Sequence, residues 1–220
     1  MNRTLVLFPG LGADERLFEP LKADFPDLLV PGWPEPRRGE SLPSFAARVA
    51  ESVPRSESLV VGGSSFGGMV ALEVAPLVRA NAVILIGSAR RPDGLVRFPG
   101  AAAALARLLP EAVFRPRRSM MPLMLSRFGT LTAKQHELFW NMATAKSSWF
   151  IKWGLSAILT WTPSTVSVPI RQIHGSADRV IPVRLVQADR IVEGGGHLLS
   201  LTHPADVSAF IAEALDQRGT

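Results

Sequence analysis

In the run Leu59-Val60-Val61-Gly62-Gly63-Ser64-Ser65-Phe66-Gly67-Gly68-Met69-Val70, residues Gly63, Ser65 and Gly67 form a G-x-S-x-G between an apolar strand-like stretch and an apolar helix-like one. A serine there sits on so tight a turn that the residues two before and two after it approach each other, and a Cβ at either would clash. Its hydroxyl projects above the sheet edge. The positive end of the following helix and the Phe66 N–H lie where an oxyanion would form. Ser64 lacks the glycine spacing, and Gly154-Leu155-Ser156-Ala157-Ile158 lacks the closing glycine, so Ser65 alone fits. The plainer alternative is a glycine-rich turn with no chemistry.

A serine hydroxyl is a weak nucleophile at neutral pH, so a histidine must take its proton and an acid must hold that histidine in one tautomer. Of the four histidines, His197 follows Gly194, Gly195 and Gly196 just beyond the last strand-like run, a flexible approach that returns an imidazole over the serine. His136, His174 and His203 read as exposed, packing or capping residues. For the acid, Asp178 lies in His174-Gly175-Ser176-Ala177-Asp178-Arg179-Val180-Ile181-Pro182, after a strand-like run and therefore at the carboxyl edge of a parallel sheet. Asp93 is the competitor, and its neighbours Arg90, Arg91 and Pro92 give it the look of a solvated turn.

The elements that must position these residues are short apolar runs bounded by Gly or Pro: Thr4 to Phe8, Leu28 to Val30, Leu59 to Val61, Ala82 to Ile86, Ile170 to Ile173 and Arg190 to Val192. Their lack of polar alternation predicts a parallel sheet covered on both faces. Helical stripes lie between them, at Leu17, Leu21 and Phe25, at Phe45, Val49 and Val53, and at Val70, Val74, Leu77 and Val78. Strand and helix alternating in this way predict an α/β fold with right-handed crossovers. Between about residues 91 and 168 the alternation stops, and a stretch too long for a loop carries helical pattern rich in Met, Phe and Trp. It reads as a helical insertion within a single domain spanning 1–220. A last helix opens near Thr202 to Pro204 and buries Val207, Phe210, Ile211 and Leu215.

The 220 residues are 47% hydrophobic and 20% charged, enough apolar side chain for a real core, which excludes wholesale disorder. There is no cysteine, so disulfide frameworks, thiolate metal sites and cysteine nucleophiles are excluded together. The net charge of +5 comes without a recognition motif or stacking aromatics, and no nucleic-acid partner is expected. The apolar run Leu5 to Phe8 is too short for a signal-peptide core, and Gly154 to Trp161 is too short to cross a bilayer. A cytoplasmic protein without a membrane span is the expectation.

Taken together, these residues resemble the α/β-hydrolase superfamily, in particular its lid-bearing serine hydrolases, which include carboxylesterases and the pimeloyl-carrier-protein esterase. The resemblance covers essentially the whole chain, and the order Ser65, Asp178, His197 matches the family's order of nucleophile, acid and base. Phe8-Pro9-Gly10-Leu11-Gly12-Ala13-Asp14 is similar to the family's oxyanion loop, with Pro9 in place of the usual histidine. The resemblance implies that the Leu11 amide joins that of Phe66 in an oxyanion hole. It also implies a helical lid at about 91–168, and a mostly parallel sheet reduced to about six strands because the family's first two strands have no counterpart. The exposed edge suits either a monomer or a homodimer.

The implied activity is that of a serine hydrolase cleaving a carboxylic ester or thioester of an apolar acyl group through an acyl-enzyme, with no metal or organic cofactor. Amide or C–C bond hydrolysis on the same triad, or a small-ligand-binding protein without turnover, are the alternatives. A serine in the nucleophile elbow argues against epoxide hydrolases and haloalkane dehalogenases, which place an aspartate there. Arg90, Arg91, Arg97, Arg107, Arg115, Arg117 and Arg118 face only Asp93 and Glu111 in the first half of the lid. They read as solvated helix faces, or as a surface for an acidic carrier protein or an anionic substrate head group.

Overall fold

The computed structural model describes residues 3–92 and 99–216. Five strands form one wholly parallel sheet in the order β1 (Thr4–Phe8), β2 (Leu59–Ser64), β3 (Ala82–Ile86), β4 (Ile170–Gly175) and β5 (Arg190–Val192). Their apolar continuity has a direct cause, since alternate residues serve two different cores. Val6, Phe8, Leu59, Val61, Val83 and Leu85 face a layer built on α1 (Leu42–Ala50) and α2 (Phe66–Val78). Leu5, Leu7, Val60, Ile84 and Ile86 face the opposite layer, which includes a short 3-10 helix at Glu15–Leu21. That helix is 3-10 in form and carries Pro20, which has no N–H to donate to an α-helical ladder.

The expected sixth strand is not formed. Leu28 to Val30 makes a single parallel bridge, Leu29 to Val6, held by Leu7 N to Leu29 O at 2.9 Å and Leu29 N to Leu5 O at 3.0 Å. Pro26 and Pro31 flank the run, and their missing N–H groups and fixed φ stop the pairing from extending.

Between β3 and β4 the described residues contain helices and no strand: α3 (Pro99–Leu108), α4 (Met121–Phe128), α5 (Ala133–Thr144) and α6 (Ser148–Thr160). Asp93 and Arg97 lie outside the described residues. After β5 come α7 (Leu199–Thr202) and α8 (Pro204–Asp216), and α8 buries Val207, Phe210 and Ile211 as its stripe predicts. No helix among the described residues is long and apolar enough to cross a membrane.

Helix α6 is fastened to the body of the molecule by indoles. Trp149 Nε1 donates to the Pro36 carbonyl at 2.8 Å, and Trp153 Nε1 to the Glu40 carbonyl at 2.8 Å. Beyond its end, Trp161 Nε1 donates to Glu73 Oε1 on α2 at 2.7 Å. Trp153 and Phe150 also pack with Phe45 and Phe66, the Phe45 and Trp153 rings lying 4.5 Å apart. Glu73 is 3% exposed, and it also accepts from the Ser164 amide and hydroxyl. Glu73→Leu leaves the buried Trp161 N–H without an acceptor and is expected to destabilise the fold by about 1–3 kcal/mol, measured by urea denaturation.

Candidate active site

Ser65 lies between β2 and α2 with φ 53° and ψ −120°, a left-handed backbone that few non-glycine residues adopt. Its surroundings hold it there. The Ser65 amide donates to the Ile86 carbonyl at 3.1 Å, while its carbonyl accepts from Gly68 N at 3.0 Å and from Ser88 Oγ at 2.6 Å. The glycines on either side are needed for space. A Cβ on Gly63 would run into the backbone of Gly67, and one on Gly67 into the carbonyls of Phe8 and Pro9. The strand-to-helix turn is thus wedged against the end of β1, and backbone strain of about 1–3 kcal/mol is offset by these contacts.

His197 and Asp178 reach Ser65 from two other strand ends. Asp178 follows β4 and His197 follows β5, so all three stand at the carboxyl edge of the sheet. The two loops brace each other through Ser176 N to Val192 O at 3.0 Å and Ala177 N to Gly195 O at 2.9 Å. His197 Nε2 lies 2.9 Å from Ser65 Oγ, and His197 Nδ1 lies 2.7 Å from Asp178 Oδ2. Asp178 Oδ1 accepts from the amides of Val180 and Ile181, both at 2.8 Å. An ionised Asp178 only accepts, so Nδ1 of a neutral His197 carries the proton and Nε2 presents its lone pair to the serine hydroxyl.

The helical insertion also fixes His197. The Phe128 carbonyl at the end of α4 accepts from the His197 amide at 2.8 Å, and the Phe128 ring stacks on the imidazole with centroids 5.7 Å apart. A Cβ on Gly196 would meet that same Phe128 carbonyl, which explains the need for glycine beside the histidine.

His174, read from the sequence as a packing or capping residue, does more than pack. It is fully buried, and its Nε2 lies 2.7 Å from the Ile181 carbonyl and 3.3 Å from Asp178 Oδ2. A carbonyl only accepts, so Nε2 carries the proton and shares it between the two oxygens. Burial works against the charge on Asp178, yet the hydrogen bonds from His174, His197 and the Ile181 amide outweigh it and hold the carboxyl far below the usual range. The spacing of four residues between His174 and Asp178 was the one available signal in the sequence. His174→Ala removes one of the donors that hold Asp178 and is expected to destabilise the fold by about 1–3 kcal/mol, measured as a lower urea midpoint at neutral pH.

The remaining candidates are placed as follows. Phe66 opens α2, and its amide, like that of Leu11, finds no carbonyl acceptor among the described residues. The Leu11 side chain rests on Gly154 of α6, which locks the loop after β1 against the insertion. His136 is half-buried on α5, and His203 Nδ1 pairs with Thr202 Oγ1 at 2.9 Å; neither joins the Ser65 cluster. No group of three His, Asp or Glu side chains among the described residues is arranged to hold a metal ion.

Ser65, His197 and Leu11 open onto one cavity of about 350 Å³. Its walls are largely apolar, with Leu17 and Leu198 from the body and Phe128, Phe139, Ile151 and Leu155 from the insertion, and Arg115 and Arg117 also line it. A second groove of about 560 Å³, between α4 and α5, shares no lining residue with it.

The sequence model described as the alpha/beta hydrolase family matches residues 5–210. No curated protein sequence matches the chain. Among solved structures, an esterase from Thermogutta terrifontis superposes with a TM-score of 0.72 at 18% identity, over 98% of this chain and 90% of its own. An esterase from Exiguobacterium antarcticum gives 0.72 at 16% identity, covering 98% of this chain and 92% of its own. A lipase-esterase related protein from Clostridium acetobutylicum gives 0.69 at 16% identity, over 96% and 93%.

Proposed function

The chain belongs to the alpha/beta hydrolase family, and from that premise we propose that it is a serine hydrolase cleaving a carboxylic ester or thioester of an apolar acyl group. The observation that carries the reading is the 2.9 Å approach of His197 Nε2 to Ser65 Oγ, with Asp178 on the other side of the ring. Ser65 Oγ attacks the carbonyl carbon as its proton passes to His197 Nε2. The tetrahedral oxyanion is received by the Leu11 and Phe66 amides, and removal of one such donor typically costs about 100- to 1,000-fold in rate. His197 then gives its proton to the departing alcohol or thiol, leaving Ser65 acylated. Water attacks that acyl-enzyme with His197 again as base, and the acid and free serine are released. Asp178 stays ionised throughout and stabilises the imidazolium.

The acyl group lies in the apolar cavity, and the insertion α3 to α6 acts as a lid that excludes water from it. The two esterase structures above lend the reading support at the level of fold. A p-nitrophenyl ester series of increasing acyl length, together with fluorophosphonate labelling, tests it. Saturable turnover with a length optimum and a single label on Ser65 are expected. Absence of both would overturn the reading.

A further inference from the structure

The arginines of the insertion do not form one basic face. Arg90 is tied to Gln172 at 3.1 Å and to Asp189 at 3.5 Å, and Arg118 pairs with Glu137 at 3.2 Å while covering the Trp140 ring. Arg97 lies outside the described residues. Glu111 is within 3.8 Å of Arg38. Arg115 and Arg117 differ from these, since both are exposed and their side chains have no ion pair or hydrogen bond among the described residues.

These two arginines line the cavity that holds Ser65, and among the described residues no Asp, Glu or Lys lines it with them. Their backbones are extended, with φ −68° and ψ 125° at Arg115 and φ −128° and ψ 134° at Arg117. Successive side chains of an extended chain alternate in direction, so residues two apart share a side, and Pro116 between them restricts the segment further. Two arginines without an acidic partner among the described residues therefore share one side of a segment that lines a largely apolar cavity. A wholly apolar ester gains nothing from them. A carboxylate or phosphate matches their planar forks.

We infer that Arg115 and Arg117 form an anion subsite, and that the preferred substrate carries a carboxylate or phosphate in addition to an apolar acyl chain and the scissile carbonyl. The inference rests on the serine hydrolase reading above and names its substrate class.

The anion can stand at the far end of the acyl chain or on the leaving group, and two substrate pairs separate these sources. One pair is a p-nitrophenyl alkanoate and the mono-p-nitrophenyl ester of the dicarboxylic acid of equal length. The other is a phenyl alkanoate and the same ester bearing a phosphate on the phenyl ring. At low salt the wild-type protein is expected to favour the charged member of one pair by about tenfold in kcat/KM, the scale of one charge-assisted hydrogen bond. That ratio falls to about one in Arg115→Ala/Arg117→Ala, and below one in Arg115→Glu/Arg117→Glu, while added salt erodes it in the wild type.

Equal use of charged and neutral esters by the wild type, or a preference that survives both double variants, would overturn the inference while leaving the hydrolase reading intact. If no ester is turned over, the hydrolase reading fails instead. The Kd values of the Ser65→Ala protein for the same pairs then decide the subsite: tighter binding of a charged member, lost on removing both arginines, supports it, and equal Kd values refute it.

Discussion

Ser65→Ala is expected to lower kcat for ester hydrolysis by about a million-fold, to the level set by the remaining amides and the cavity. The substitution deletes one oxygen whose partner is His197 Nε2. The contacts that shape the turn use only main-chain atoms of Ser65: Ser65 N to Ile86 O, and Gly68 N and Ser88 Oγ to Ser65 O. They survive, and alanine at φ 53° is strained much as serine is, so the variant stays folded and gives an unchanged denaturation midpoint. The check is paired: hydrolysis of an activated ester, and the mass gained by intact protein on treatment with a fluorophosphonate. Activity persisting in a protein that no longer takes the label would remove Ser65 from the mechanism.

Asp178→Asn is expected to cost about 10,000-fold in kcat, the loss that follows from holding the wrong imidazole tautomer. The amide oxygen can replace Oδ1 and accept from the Val180 and Ile181 amides. Its NH₂ group then stands where Oδ2 accepted from His197 Nδ1. His197 must turn its lone pair to that NH₂, which puts a proton on Nε2 facing Ser65 and removes the base. The same NH₂ also meets the Nε2–H of His174, a donor against a donor.

A pH signature accompanies the loss. Because the folded protein holds the Asp178 carboxyl well below its ordinary range, the stabilisation is present above an ordinary carboxylate pKa of about 4 and is lost as the pH falls below it toward the folded value. The urea midpoint of the wild type should therefore drop more steeply with acid than that of Asp178→Asn. Parallel acid dependences would show that Asp178 is not held ionised by its two histidines.

Much of the site was legible because its residues are bound to local turn geometry. Gly63 and Gly67 mark a strand-to-helix turn that tolerates no Cβ, which singled out Ser65 over Ser64. The ends of β4 and β5 pointed to Asp178 and His197, since every strand of a parallel sheet delivers its following loop to the same edge. Leu28 to Val30 looked like a strand by composition, yet the flanking prolines limit it to one bridge, because pairing depends on donors that prolines lack. His174 looked like packing because its second partner, the Ile181 carbonyl, is supplied by a loop that folds back over it.

By itself, then, the sequence determined the α/β alternation, the turn that raises Ser65, and the strand ends after which Asp178 and His197 follow it, all consequences of short-range sterics and hydrophobic period. The tertiary structure alone decided what depends on segments far apart in the chain. It set the second donor on Asp178 and the Phe128 clamp on His197. It fastened α6 by indole hydrogen bonds to Pro36, Glu40 and Glu73, and it selected the two arginines of the insertion that line the cavity while lacking acidic partners among the described residues. These hydrogen bonds and charge pairings are directional and act over a few ångströms, so they exist only once packing has brought their partners together.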